Sequence, residues 1–520
     1  MVADVTVERV AEARKQPGRG RLDTFVAPAP SPLLIAALAP VNRWLCLGGI
    51  SGLRNLPVIG RVPGVRGLSD IREIDLPRED EWRLRSAVNR ETVAFLGPNH
   101  PEFFTDWMLD KEVLARVSPL AACWATNTIV NGMGRWGQAF WLANNLIAQI
   151  PGAGEAAREH SIAWALAGRG VLLHPEGNVG WHGDTVAPLF PGIVDMAFEA
   201  ARRLKAAGVE RAVRIVPLVW RLQLTRSVEP ELEAEMGYVE RRLGLASGAG
   251  SLPLRLAGAY GQLLARDATR WGLTGAEWGI GGASFGERQR HLLAYLAKPL
   301  VGELAAAGAE PPAAAANRAD ATSAYDELLR TVERWLRTRR ATASGRADGG
   351  ARAVGDGDDG APNIPATGQF TGGPAAPDHP ARTQGGSAGV GDPRASIRAL
   401  VSDMRRIQRF RPALYPGEDM TQEQIAESIK RLRYDYCSGT WRDSLNRFVP
   451  QPDGPRIAHI RVPEPIDVNA LLRKEPDTPG LRSATLSQLR DRMQTALDGL
   501  AREITRHPRT PRYRNPFREA

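Results

Sequence analysis

The chain of 520 residues has only three cysteines, Cys46, Cys123 and Cys437, far apart and in no CxxC pair. That scarcity argues against a disulfide framework and a structural zinc site, and it fits a reducing compartment. Nor is there an unbroken run of about 20 apolar residues, the length a membrane span needs. The most apolar segment, SPLLIAALAPVNRWLCLGGISGL at 31–53, is interrupted by Pro40, Asn42 and Arg43. The first 30 residues mix acids and bases without an apolar core, so no signal peptide is expected. No helix-turn-helix, RRM or zinc pattern is found, which leaves specific nucleic-acid recognition resting on charge alone. A Ser-His-Asp hydrolase ranks last among enzyme classes, since no nucleophile elbow is read.

Acids are outnumbered, 58 against 67 lysines and arginines, for a formal charge of +9 and a pI near 9.8. A basic balance suits a polyanionic partner, either nucleic acid or an anionic membrane face. The excess is clearest in the tail RHPRTPRYRNPFREA, where five arginines meet one glutamate; a solvated, disordered end is the plain reading of such a tail.

Organisation follows from periodicity and composition. Residues 1–30 read as a disordered N-terminus. Residues 31–81 read as a helical, membrane-interfacial segment, within which 31–53 is either a hairpin-like anchor or a helix packed on the core, with packing the stronger reading. From 82 to 340 short apolar strands alternate with amphipathic helices. TVAFL at 92–96 predicts a buried strand, and the following segment predicts a helix opened by Pro101. VLLHPEGN predicts a three-residue strand and a polar turn. GIVDMAFEAARRLKAAG predicts a helix with Ile193, Met196, Ala197, Ala200 and Leu204 on one face. AVRIVPLVWRL predicts a strand with its ladder interrupted at Pro217. This alternation predicts an α/β fold with a mostly parallel central sheet flanked by helices. Residues 341–395 are Gly-, Ala-, Pro- and Asp-rich, the composition of a disordered linker. Order returns at 396–505, with a capping box at Thr421 and Gln424, a strand in RIAHIRVPEPIDV and a closing helix. This block is too thin to stand alone, so it is expected to complete the first sheet, making the linker a long insertion. Residues 506–520 form the basic tail.

Ligands of an open parallel sheet bind at the carboxyl ends of its strands. Two polar clusters fall at such ends: Asn99, His100 and Asp106 after one strand, and His174, Glu176, Gly177 and Asn178 after another. A neutral imidazole can take a proton from an alcohol, and a carboxylate on its other nitrogen would fix the tautomer. The plainer reading makes His100 a helix cap and Asp106 a surface acid. In the second cluster a tight Pro-Gly turn exposes backbone amides that can hold an anion, and Glu176 could accept from substrate hydroxyls; the plainer reading is an ordinary loop. A zinc site from His174, His182 and Asp184 is a weak third reading, because the spacing is not helical.

The two clusters in this order and spacing resemble the PlsC-type glycerolipid acyltransferase family over 92–222. NHPEFFTD is similar to its His-and-Asp catalytic motif, HPEGNVGWHGD to its FPEG acceptor motif, IVPLVW to its Val-Pro strand and HIRVPEPIDV to its final GEPI strand. Three departures stand out. Five residues separate His100 from Asp106 instead of four. Asn178 replaces a Thr or Ser. FWLANNLIAQIPG lacks the arginine that meets the acceptor phosphate, with only Arg158 shortly after it.

The resemblance implies an acyltransferase-like fold and a glycerolipid O-acyltransferase. His100 would be the general base and Asp106 its orienting partner, while Asn99, Glu176, Gly177 and Asn178 would bind the acceptor. The donor would be acyl-CoA or acyl carrier protein, and the acceptor a lysophospholipid or other glycerolipid alcohol. No metal or cofactor follows from the scheme. An anionic membrane surface is the expected partner, with no specific nucleic acid, and the expected location is cytoplasmic, peripheral on the inner face of the membrane. Phe103, Phe104 and Trp107 would flank the acyl path. The alternative is a catalytically inactive lipid-binding or scaffold protein of the same fold.

Overall fold

The computed structural model describes residues 25–48, 67–131, 134–150, 154–246, 250–274, 283–306, 393–446, 454–505 and 511–518, with scattered positions between them. The expected disordered N-terminus, apart from residues 25–30, lies outside these residues. So does the expected linker, apart from its last three positions.

Eight strands make one mixed, mostly parallel sheet flanked by helices. They are β1 (Ile71–Asp75), β2 (Thr92–Pro98), β3 (Ala122–Thr126), β4 (Leu146–Gln149), β5 (Val171–Leu172), β6 (Ala212–Leu224), β8 (Arg456–Arg461) and β9 (Ile466–Asp467). The order is β1-β8-β6-β2-β5-β3-β4, with β9 also against β6. The β2, β3, β4, β5 and β6 neighbours run parallel, and β8 and β9 lie antiparallel to β6. Every residue of β2 is buried, as expected of a strand with both faces covered. The helix Gly192–Ala206 buries Ile193, Met196, Ala197, Ala200 and Leu204 in the core beneath β2 and β6.

β8 lies between β1 and β6, so chain from beyond residue 450 sits in the interior of the sheet. β1 is a correction to the reading of 31–81 as helical. It is a strand because β8 supplies its parallel partner, and no local pattern announces a partner almost 400 residues away. The segment RIAHIRVPEPIDV is also two strands rather than one. β6 passes its outer edge from β9, paired as far as Ile215, to β8, paired from Val219. Pro217 falls in the gap between them, where its missing N–H costs no ladder bond on that edge.

Helix α1 (Pro32–Leu47) runs through Pro40 rather than stopping there. Ile35 and Cys46 are buried, Leu45 and Leu47 pack on the core, and Leu33, Val41 and Trp44 face solvent. Asn42 donates from Nδ2 to Met108 O at 3.0 Å and to Glu112 at 3.2 Å, fastening α1 to α2 (Phe103–Val117). The C-terminal tail is not wholly a solvated end. β10 (Arg512–Arg514) pairs antiparallel with β7 (Asp419–Thr421), and Asn515 and Phe517 are buried. The capping box forms as expected at the start of α3 (Gln422–Tyr436).

The two parts of the chain are also joined by a buried ion cluster. Glu102 accepts from Lys430 of α3 at 2.5 Å and from Arg456 of β8 at 2.9 and 3.0 Å. Burial alone would raise the Glu102 carboxyl, but the two cations outweigh it and hold it down at about 2. Its stabilisation is therefore fully present above pH 4.5 and lost as pH falls from there towards 2, an effect on the order of 3 kcal/mol. Glu102→Gln leaves two buried cations uncompensated and is expected to cost about 3–5 kcal/mol. It is also expected to flatten the stability-against-pH curve in that acid window, as measured by chemical denaturation from neutral pH to pH 3.

Candidate functional site

β5, β2 and β6 lie side by side and run the same way, with Leu96 opposite both Leu172 and Val216. The turns that follow β2 and β5 therefore leave the sheet at the same end, and both predicted clusters meet there. Leu173 N donates to Leu96 O at 3.0 Å and Asn99 N to Leu218 O at 3.2 Å, extending the sheet contacts into the turns.

The α2 helix begins at Phe103, with Glu102 as its N-cap, two residues after the predicted start. Pro101 and Glu102 precede the helix, so Asp106 falls in its first turn. The Asp106 carboxylate, in the first turn, points back over the helix N-terminus. Its Oδ2 accepts from Glu102 N at 2.9 Å and lies 2.7 Å from His100 Nδ1, and its Oδ1 accepts from Trp220 Nε1 at 3.0 Å. Amide and indole donors on both oxygens suit a carboxylate, so Nδ1 of His100 is the donor and Nε2 carries the lone pair. Among the described residues nothing bonds Nε2, and 15% of the side chain is exposed. Burial, then the neighbouring His174, lower the His100 pKa well below 6.5, which keeps the ring neutral. Burial, Asp110 and Glu102 raise Asp106, while its hydrogen bonds from Trp220 and Glu102 oppose that rise.

The backbone of His100 is clamped by the second turn. Its N–H donates to Glu176 Oε1 at 2.8 Å, and its carbonyl accepts from Gly180 N at 2.8 Å. The other Glu176 oxygen accepts from Ala187 N at 3.0 Å, and the side chain is buried. Both oxygens of Glu176, expected to receive substrate hydroxyls, are turned inward onto amides. Burial pushes its carboxyl up to about 7 against those two bonds. Asn99, the other expected acceptor contact, is likewise turned inward. It is 2% exposed and forms a two-bond lock with Trp220, donating to Trp220 O at 3.0 Å and accepting from Trp220 N at 2.9 Å. Gly177 and Asn178 are exposed at the tip of the same turn. Gly177 has φ +73°, a conformation that favours glycine, and a Cβ there would meet the Phe190 ring at 2.7 Å unless that ring moved.

The weaker expectations separate from the site. Asp184 is bound to Arg221 at 2.7 Å and Gln424 at 2.7 Å, and both nitrogens of His174 are engaged, so the weak zinc reading fails. Arg158 pairs at 3.7 Å with Glu155 on its own helix. Phe104 and Trp107 pack on the core. One sequence reading needs amending: GASFG at 282–286 does have the G-x-S-x-G spacing. Ser284 nevertheless begins the helix Phe285–Ala306, its Oγ accepting from Glu287 N at 3.2 Å, and no described strand lies between Arg270 and it. A nucleophile elbow needs a strand before the turn.

Sequence reading missed Asp110, Lys430 and Arg456. Asp110 is four residues after Asp106 and so on the same helix face, a spacing that could have flagged it. Nothing local marks the other two.

No protein-family model matches this chain, and no curated protein sequence matches it.

Glu176→Gln leaves one acceptor for two amides. It is expected to cost about 1–3 kcal/mol of stability, read as a lowered melting temperature. In an activity assay it is expected to reduce turnover and leave the apparent affinity for the acceptor unchanged, because the side chain faces the His100 backbone and not the acceptor.

Proposed function

We propose that the protein is a glycerolipid O-acyltransferase, moving a fatty acyl chain from a thioester donor, acyl-CoA or acyl carrier protein, to a hydroxyl of a lysophospholipid or related acceptor. The observation that carries this reading is the 2.7 Å contact of His100 Nδ1 with a buried, doubly hydrogen-bonded Asp106, leaving Nε2 open at the carboxyl end of a parallel strand. The motif resemblance supplies the substrate class.

In this scheme the acceptor O–H gives its proton to His100 Nε2 as its oxygen attacks the thioester carbonyl. Asp106 stabilises the imidazolium that forms. The tetrahedral intermediate collapses, the C–S bond breaks, and the departing thiolate takes the proton back. No acyl-enzyme forms, so no serine or cysteine nucleophile is required. Glu176 and Asn99 act by holding the His100 backbone and Trp220, while Gly177 and Asn178 are the contacts left for the acceptor.

A lipid product calls for a membrane-facing site. Among the described residues no helix is long and apolar enough to cross a membrane. Helix α1 instead exposes Leu33 (85%), Val41 and Trp44, with Arg43 among them, while packing on α2, the helix that carries Asp106. Trp136 is 82% exposed on the helix Gly134–Ala143, whose last carbonyl accepts from Ser31 N just before α1. Apolar side chains beside cations suit peripheral attachment to an anionic leaflet, here on the cytoplasmic inner face.

Two measurements test the proposal. With labelled acyl-CoA and a panel of lysolipids and neutral alcohols, the wild-type chain is expected to yield an acylated product. His100→Ala is expected to lose about 10²–10⁴-fold in rate without loss of folding; a wild-type chain that acylates nothing overturns the assignment. The rate is expected to hold level down past pH 6.5, because His100 stays neutral there. Separately, Leu33→Ser combined with Trp44→Ser is expected to weaken co-sedimentation with vesicles of anionic lipid at least several-fold while leaving the fold intact.

A further inference from the structure

Directly beneath the His100 ring lies a second histidine that the acyl-transfer scheme does not use. The His174 ring stacks on His100 with centroids 4.0 Å apart and planes at 18°. Both of its nitrogens face acceptors. Nδ1 is 3.0 Å from the Asn99 carbonyl oxygen, and Nε2 is 3.0 Å from Asp110 Oδ2. A carbonyl cannot donate, so Nδ1 carries a hydrogen; burial raises the Asp110 carboxyl while His174 opposes that rise, and with Asp110 as the anion Nε2 carries a hydrogen too. Neither nitrogen is left for a substrate proton, so His174 is no relay. We infer that His174 is a fixed imidazolium, held by Asp110 and Asn99, whose charge beneath His100 adds to burial in keeping the base unprotonated: a positioning residue that biases the protonation state of its neighbour. This rests on the reading of His100 as the general base.

The charges around the stack bear this out. Asp110, 2% exposed and from α2, is the counter-ion on one edge. Glu176, from the same turn as His174, adds a smaller pull. Trp220 of β6 meets the His174 ring edge-on at 6.0 Å and contributes no charge. On the far side of His100, Asp106 is the acid in contact, and Glu102 is already neutralised by Lys430 and Arg456. Lys111 acts on Asp110 and Arg490 on Glu176, both from outside the stack. Burial opposes a charge on His174, but Asp110 and the two hydrogen bonds outweigh it and raise the pKa above 6.5. The advantage of a cation is a base still active at acidic pH, near an anionic surface that concentrates protons.

The test uses the full chain with 15N-labelled histidine, each ring assigned by replacing it, and needs no substrate. Long-range proton–nitrogen correlations are expected to show both His174 nitrogens protonated at pH 7 and His100 neutral. In His174→Phe the His100 pKa is expected to rise by about one unit or more. Asp110→Asn keeps the ring in place but removes its counter-charge; His174 is then expected to be neutral and the His100 pKa to rise in the same way, which covers a His174→Phe chain that fails to fold. In the acyl-transfer assay the acid limb of kcat is expected to move to higher pH in both variants. A neutral His174 at pH 7 in the wild type, or a His100 pKa unchanged in the folded variants, overturns the inference. Failure to find any acyl transfer would leave these titrations intact and would count against the proposed function alone.

Discussion

The site depends on the buried carboxylate of Asp106. It is tied to the His100 ring, to the amide that caps its own helix and to the indole of Trp220 on β6. Those three bonds couple a turn, a helix terminus and a neighbouring strand, so the carboxylate that orients the imidazole cannot shift without breaking contacts in all three. A group with both oxygens occupied in this way is rigid, and rigidity is what a general base needs to meet a substrate hydroxyl at the correct angle. Burial favours the neutral acid, and the donors favour the anion; the helix N-terminus beside it also favours negative charge.

Around this centre the polar residues sort by what they hold. Glu176 and Asn99 fix backbone, His174 and Asp110 form a closed pair under the base, and Glu102 anchors the capping amide to Lys430 and Arg456. Few of these side chains reach solvent. The polarity of the site is thus largely internal, with the edge of His100 and the tip at Gly177 and Asn178 as its outward parts.

Much of this was legible from local pattern. The α/β alternation, the face of the 192–206 helix and the capping box follow from periodicity and turn chemistry, which act over a few residues, whereas the pairing of His100 with Asp106 was implied by the motif resemblance. The readings that changed are those where a long-range partner overrode the local pattern. Residues 71–75 became a strand because β8 lies beside them, and residues 512–514 became one because β7 does. Helix α1 continued through Pro40, where packing on α2 tolerates the lost bond. Glu176, the natural candidate for a substrate contact in a polar turn, faces inward because two amides left unpaired by the turn needed an acceptor.

The sequence by itself determined the class of fold and the chemical types gathered at the strand ends, because hydrophobic period and turn residues are written locally. Only the tertiary structure decided which polar groups face a substrate and which face each other. It alone brought Lys430 and Arg456 to Glu102, and His174 beneath His100. The physical reason is that a buried polar group must find a partner wherever the fold offers one, and the chain between the partners carries no record of the choice.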